Sequence, residues 1–342
     1  MNKRVFLGLN NTAGVCTRLK AGFEENGIVS DFYSYREHTF GYETDFIIRY
    51  SNIRVFRIIQ KLILMGKLIL RYKYFIYDSS STLLPDYRDI KILRFFGKKC
   101  MMVFTGCDIR IPELVEKYRW NPCKDCEDSY KKFVGCDIEA KKSIIEKIER
   151  EFDFIVAPQE ASGYLKRDFI RAYFPVNPEK FPTEKYNKKK LNPKLRILHA
   201  PSNPVYKGTK YIVEVINRLK DNFDFEFITI TNISINELYN EIEKSDLIID
   251  QMLTGIYGLF SIEAMAMYKP VVCYVREDSW DLIADECPIY NASPDTLYDT
   301  LYNILSNPSQ LIERGIRSRA FVEKFHNAKK TSKKFYALFE KA

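Results

Sequence analysis

The sequence has no apolar run of the ~18 residues that a membrane-spanning helix requires. Its best stretch, Ile58 to Leu70, is broken by Lys61 and Lys67. A signal peptide is missing too: after Met1-Asn2-Lys3-Arg4 only Val5 to Leu9 is apolar, and no small-residue cleavage site follows. A cytoplasmic protein is therefore expected. Glycine and proline number only 14 each among 342 residues, and no tandem repeat or low-complexity tract appears. With 46% hydrophobic and 29% charged residues, this composition excludes collagen-like and disordered chains. The length points to two domains of ordinary size.

Acidic residues are missing from one segment. The net charge is +8, but residues 1–174 carry 30 basic and 23 acidic side chains, against 23 and 22 in 175–342. No acid lies between Asp45 and Asp78, where Arg49, Arg54, Arg57, Lys61, Lys67, Arg71 and Lys73 stand. Residues 54–73 fit a helix on which Arg54, Arg57, Lys61, Lys67 and Arg71 fall within about 140° of the circumference. Such a helix lies on an anionic membrane surface or packs on a sheet with its basic face in water. The absence of acids favours the membrane. Recognisable nucleic-acid motifs are lacking, so no nucleic-acid partner is expected.

Eight cysteines without a secretion signal imply reduced thiols. Cys123, Cys126 and Cys136 form C-x2-C-x9-C in a polar stretch. That spacing suits a structural zinc or a redox pair; unbonded surface or core cysteines are the alternative.

Short β-rich runs alternate with helical patterns, which predicts βαβ units and parallel sheets. The expected strands are Arg4–Leu9, Ser30–Tyr33, Tyr74–Asp78, Cys100–Phe104 and Phe154–Ala157. A second series comprises Arg196–His199, Glu226–Ile230, Leu247–Asp250, Val271–Tyr274 and Pro288–Tyr290. Between the two series, Pro175 to Leu195 is rich in Pro, Asn and Lys, including Lys188-Lys189-Lys190, and reads as a linker. Two doubly wound, Rossmann-like α/β domains are expected, 1–174 and 175–326, facing a cleft. A last helix, 327–342, is expected to pack back toward the first domain.

Three loops carry candidate chemistry. The first strand runs into Gly8-Leu9-Asn10-Asn11-Thr12-Ala13-Gly14, which suits close approach of a phosphate or sugar but lacks the dinucleotide fingerprint G-x-G-x-x-G. In the second half, His199-Ala200-Pro201-Ser202-Asn203 leads to Tyr206-Lys207-Gly208, a strand–loop–helix with a cation for a diphosphate. Further on, a loop with Tyr257-Gly258-Leu259 precedes a helix bearing Glu263. A carboxylate there can accept two hydrogen bonds from paired ribose hydroxyls or simply complement the helix dipole.

Together, Lys207-Gly208, Gly258…Glu263-Ala264-Met265-Ala266 and Lys269-Pro270-Val271-Val272 resemble the nucleotide-sugar signature of the family-4 retaining glycosyltransferases of the GT-B fold. Phe104-Thr105-Gly106-Cys107-Asp108-Ile109-Arg110 looks like that family's loop at the sugar-transfer centre. The resemblance implies retaining transfer of a sugar from a nucleotide-diphosphate donor to a saccharide or lipid-linked acceptor, in cell-surface polysaccharide or glycolipid synthesis. It implies no required cofactor and places the enzyme in the cytoplasm, peripheral at the inner face of the cell membrane. Asp108 and Lys207 take the catalytic positions. Donor contacts are expected from Gly14, Ser202, Asn203, Lys207 and Gly208, and from Tyr257, Gly258, Leu259, Glu263 and Arg276. Acceptor contacts fall to Asn10, Asn11, Thr105 and Arg110. The sequence departs from the family at three points: its first Glu falls on Gly255, its Arg on Ser202 and its loop His on Thr105. Arg110 or Arg276 is the expected replacement for the missing positive charge. Two further readings share the fold: a nucleotide-sugar 2-epimerase, and a degenerate binding or scaffold subunit.

Overall fold

A computed structural model describes residues 4–37, 41–133, 135–171, 174–187, 190–280, 283 and 285–341. Lys188 and Lys189 of the expected linker lie outside these residues, as do Met1 to Lys3. The chain divides into two compact units. One comprises Met1–Ile111, Val134–Pro175 and Ala328–Ala342; the other comprises Pro112–Phe133 and Val176–Asn327.

The first unit is built on a seven-stranded, all-parallel sheet. Its strands are β1 (Val5–Leu9), β2 (Ser30–Ser34), β3 (Phe46–Ile47), β4 (Tyr74–Asp78), β5 (Lys99–Val103), β6 (Phe154–Ala157) and β7 (Ile170–Arg171). They lie in the order β3-β2-β1-β4-β5-β6-β7. Five of these are the runs expected from sequence. The two-residue edge strands β3 and β7 are additions, too short to leave a periodic signal. β1 and β4 are buried along their whole length, as helices on both faces of a parallel sheet require.

The second unit has five parallel strands: β8 (Leu195–His199), β9 (Phe225–Thr229), β10 (Leu247–Ile249), β11 (Val271–Cys273) and β12 (Tyr290–Asn291). Their order is β12-β11-β10-β8-β9. Helices Thr209–Leu219 and Ile235–Lys244 lie where the 3.6-residue periodicity puts them. The second begins with a complete capping box formed by Ser234 and Glu237. Helix Leu297–Ser306 is preceded by a turn in which the Thr296 hydroxyl accepts the Ser293 amide at 3.0 Å.

The last helix, Ala328–Lys341, belongs to the first unit and packs on helix Val15–Glu25. Gly22 sets their separation: a Cβ there would lie 2.2 Å from the Ala328 carbonyl oxygen and 2.5 Å from Ser332 Oγ. Ser332 donates to the Leu19 carbonyl at 2.9 Å, Phe339 stacks on Tyr74 at 4.7 Å, and the Tyr74 hydroxyl donates to Glu340.

Helix Arg54–Arg71 is attached differently. Only Met65 and Leu68 are buried. Val55, Phe56, Ile58, Ile59, Leu62, Ile63 and Leu70 are all exposed, Leu70 by 88%. Several bases are held by neighbours at the surface: Arg57 donates to the Ser51 and Asn52 carbonyls, Lys61 lies over the Tyr50 ring and Arg71 pairs with Asp31, while Arg54, Arg57, Lys67 and Arg71 stay exposed. A narrow apolar stripe of the same helix does pack on the core: Met65 and Leu68 lie in it, with Leu64 and Ile69 against it.

Gly22→Val should lower unfolding free energy by about 1–3 kcal/mol through overpacking at the helix contact. Gly66→Ala, at a helical position with open space around it, should stabilise by about 0.5–1 kcal/mol. Urea titration of both variants distinguishes close packing from a general intolerance of the first unit.

Candidate functional site

In doubly wound sheets, ligands bind beyond the carboxyl ends of the strands where the winding direction reverses. The first unit reverses between β1 and β4. There Asp78, fully buried at the end of β4, accepts the Asn10 amide at 2.9 Å and the Thr12 amide at 3.0 Å. Burial pushes its carboxyl above the usual range, and the two amides oppose that rise. Asn11, Ala13, Ser79 and Ser80 adopt left-handed backbone conformations beside it, with φ between 51° and 61°. Such conformations cost roughly 1 kcal/mol or more each and persist where the surroundings impose them. The hydroxyls of Thr12, Ser79 and Thr105 form a chain at 2.5 and 3.0 Å, and Asn10 donates to Ser81 at 2.8 Å. At the end of β5, Asp108 accepts the amides of Thr105 and Gly106, the latter at 2.7 Å. Burial raises its pKa to about 6.

The expected residues of this unit divide into two sets. Asn10, Thr105 and Asp108 belong to the polar rim at the strand ends. Asn11 is buried, with its carboxamide oxygen accepting the Thr17 amide at 3.1 Å. Gly14 is buried with φ 79°, and a Cβ there would strike Arg18 and Tyr42. Arg110 is buried in a bidentate pair with Glu160, at 3.2 and 2.5 Å. Its charge is thus matched inside the unit. Lys141, also buried, donates to the carbonyls of Cys107 at 2.6 Å and Arg110 at 3.0 Å and so clamps the same loop.

The second unit reverses between β8 and β10. Asp250, fully buried just after β10, pairs with the Lys207 ammonium and accepts the Ser261 hydroxyl at 2.5 Å. It therefore ties the loop after β8 to the first turns of helix Leu259–Ala266. Asn203 caps the short helix Pro204–Lys207 by accepting the Tyr206 amide at 2.9 Å, and Ser202 is exposed beside it. Gly208 is needed for two reasons: its φ is 75°, and a Cβ would approach Leu253 to 3.0 Å. Glu263 is buried and accepts the Tyr239 hydroxyl at 2.7 Å. Tyr257 is buried, its hydroxyl 3.1 Å from His326 Nε2. Gly258 caps helix Leu259–Ala266, so Leu259 opens its first turn.

Arg276 explains Gly255. A Cβ at position 255 would lie 2.6 Å from Arg276 Cγ and 2.8 Å from Cδ, so the arginine stem occupies the space of any larger residue. Its guanidinium is bidentate to Asp278 at 3.0 Å on both arms and lies 4.0 Å over the Tyr118 ring. Tyr118 belongs to segment 112–133, which the sequence did not mark as part of this unit. That segment also brings Trp120 and Arg119 to Asp295, and Asp125 to Lys210 and Tyr211. Two clues were legible in sequence: Asp78-Ser79-Ser80-Ser81 at a strand end, and Asp250 at another.

Among the described residues, no group of three or more His, Cys, Asp or Glu, Cys123, Cys126 and Cys136 included, is placed to hold a metal. The Cys136 thiol accepts from Lys141 at 3.6 Å.

No protein-family model and no characterised protein matches the sequence. Solved structures do match. Sucrose-phosphate synthase from Thermosynechococcus elongatus superposes with TM-score 0.66 at 12% identity, covering 100% of both chains. A glycosyltransferase from Rickettsia africae gives 0.65 at 15% identity, covering 100% of this chain and 99% of that one. HepE of Anabaena, solved in complex with UDP-glucose, gives 0.66 at 11% identity, covering 99% and 100%. The fold is GT-B. At these identities the likeness speaks for the fold, and the sites above rest on their own residues.

His199 ends β8 fully buried, with Nδ1 2.9 Å from the Ile249 carbonyl and Nε2 2.8 Å from the Thr209 hydroxyl. Burial lowers its pKa from 6.5 to about 4, so it is neutral in the fold. The unfolded chain therefore binds the extra proton first. Its contribution to stability is complete above pH 6.5 and fades toward pH 4, a loss of about 3 kcal/mol. Thermal unfolding across that window should show it, with a shallower fall for His199→Gln.

Proposed function

We propose that the chain is a glycosyltransferase that moves a sugar from a nucleotide-diphosphate donor to a saccharide or lipid-linked acceptor, with retention at the anomeric carbon. The observation that carries this reading is the β8–β10 crevice. There a lysine, a helix N-terminus and a buried carboxylate stand together, in a GT-B chain whose solved neighbour HepE holds UDP-glucose. Lys207 and the amides opening helix Leu259–Ala266 receive the diphosphate. Glu263 accepts the ribose hydroxyls, with Tyr239 holding its second oxygen in place. Ser202, Asn203, Gly208, Tyr257, Gly258 and Leu259 shape the rest of the donor side.

Fixed positive charge stabilises the leaving diphosphate as the anomeric C–O bond breaks. The acceptor oxygen then bonds the anomeric carbon on the same face, and its hydroxyl proton leaves with the departing diphosphate. In the first unit, Asn10 and Thr105 bind acceptor hydroxyls and Asp108 orients the attacking one. A carboxyl with a pKa near 6 exchanges a proton readily at neutral pH.

Helix Arg54–Arg71 supplies the setting. Its apolar residues face outward and its bases flank them in a segment without acids, an arrangement suited to an anionic lipid surface. We accordingly place the enzyme at the inner face of the cell membrane, in cell-surface polysaccharide or glycolipid synthesis.

Thermal shift with UDP, other nucleoside diphosphates and their sugars tests the donor site, since saturation at about 100 times Kd adds near 2.7 kcal/mol to stability. Glu263→Gln should weaken nucleotide binding about tenfold, and unchanged affinity of Arg276→Ala removes Arg276 from the site. Release of a free or epimerised sugar without acceptor selects the epimerase reading. Nucleotide binding with no turnover on any acceptor selects the binding subunit.

Vesicle co-sedimentation tests the helix. Reversal of Arg54, Arg57 and Lys61 to Glu should lower binding to anionic vesicles by roughly a hundredfold or more, at about 1 kcal/mol per base lost. No binding by the parent protein overturns the membrane assignment.

A further inference from the structure

Segment 112–133 carries a second chemical feature that the sugar-transfer reading does not use. Cys123 to Cys126 form a tight turn, closed by the Cys126 amide donating to the Cys123 carbonyl at 3.3 Å. A hydrogen-bonded four-residue turn keeps its end Cα atoms within about 7 Å, and a disulfide spans Cα atoms about 4.4–6.8 Å apart. Neither cysteine is in the core; both are half-buried. The Asn121 carboxamide oxygen accepts the Cys123 and Lys124 amides at 3.1 and 3.0 Å and fixes the turn from its other side.

The turn is also the point where the segment grips the second unit. Asp125, between the two cysteines, accepts from Lys210 at 2.9 Å and from the Tyr211 hydroxyl at 3.2 Å. Trp120 meets the Tyr211 ring edge-on at 5.0 Å. Cys126, Tyr130 and Pro122 line a small cavity with Asn203 and Tyr206, of the loop that leads to Lys207.

We infer that Cys123 and Cys126 are a reversible redox pair whose disulfide locks segment 112–133 onto helix Thr209–Leu219. Oxidation removes two protons and two electrons from the thiols and forms one S–S bond. The electrons and protons pass to a low-molecular-weight disulfide such as oxidised glutathione, which leaves as two thiols. Thiolate attack on that disulfide gives a mixed disulfide on one cysteine, and the turn presents the second cysteine to resolve it. The bond fixes the turn that holds Asp125 in place, so the oxidised segment detaches less often.

The test does not depend on sugar transfer. The full chain is equilibrated with oxidised glutathione, its remaining thiols are alkylated, and Cys123 and Cys126 are followed by mass spectrometry. Trypsin cleavage after Lys117 and Arg119 is timed in parallel. Loss of both thiols together as an internal disulfide, with cleavage slowed about tenfold and restored by dithiothreitol, is the expected result. Cys123→Ser and Cys126→Ser, at half-buried positions, should fold normally and show no protection. Separate glutathione adducts on each cysteine, or cleavage that ignores the redox state, overturns the proposal.

Discussion

Each unit has a buried aspartate that holds its reversal point together. Where winding reverses in a parallel sheet, two neighbouring strands send their loops to opposite faces and leave a crevice that no backbone pairing closes. Asp78 bridges that gap in the first unit by accepting two amides of the β1 loop. Asp250 does so in the second by pairing with Lys207 and Ser261. Both carboxylates are fully buried, a placement tolerated only when such partners replace water. The candidate groups in each unit stand on the loops these two aspartates fix. The chemistry on either side thus inherits its geometry from a single side chain at the end of a central strand.

The sheets were legible because a strand buried on both faces is mostly apolar: β1 and β10 are so throughout, and β4 is until Asp78. Loops at their carboxyl ends followed from the alternation of strands and helices. Edge strands β3 and β7 were not legible, since two residues carry no period. Nor was the placement of segment 112–133, whose polar composition reads as an ordinary loop. Its attachment depends on cross-chain partners such as Asp278, Asp295 and Lys210, far away in sequence. For helix 54–71 the pattern was plain, but which face met the sheet was not. Met65 and Leu68 meet the core, whereas the long stems of Arg57, Lys61 and Arg71 find backbone oxygens, an aromatic ring and a carboxylate nearby and most of the other apolar residues stay exposed.

Among the candidate residues, those that proved hardest to read were the charged ones. Arg110 and Lys207 looked equivalent as sources of positive charge. Arg110 meets Glu160 in a closed, two-armed pair deep in the first unit, whereas Lys207 meets an aspartate that also holds a helix start. Gly255 looked like the loss of an acid; it is equally the space that Arg276 fills. Spacing cannot tell these cases apart, because each depends on a partner supplied by another loop.

The closeness of Gly22 to Ala328 has a consequence for how the molecule is made. Residues 328–341 leave the ribosome after all of the second unit, yet they cover the first unit's helix Val15–Glu25 and seat Phe335 and Phe339 in its apolar interior. During synthesis the first sheet must wait, with one face uncovered, while some 150 residues of the other unit emerge. The helix pair that holds Gly22 against Ala328 is thus among the last contacts of the first unit to form.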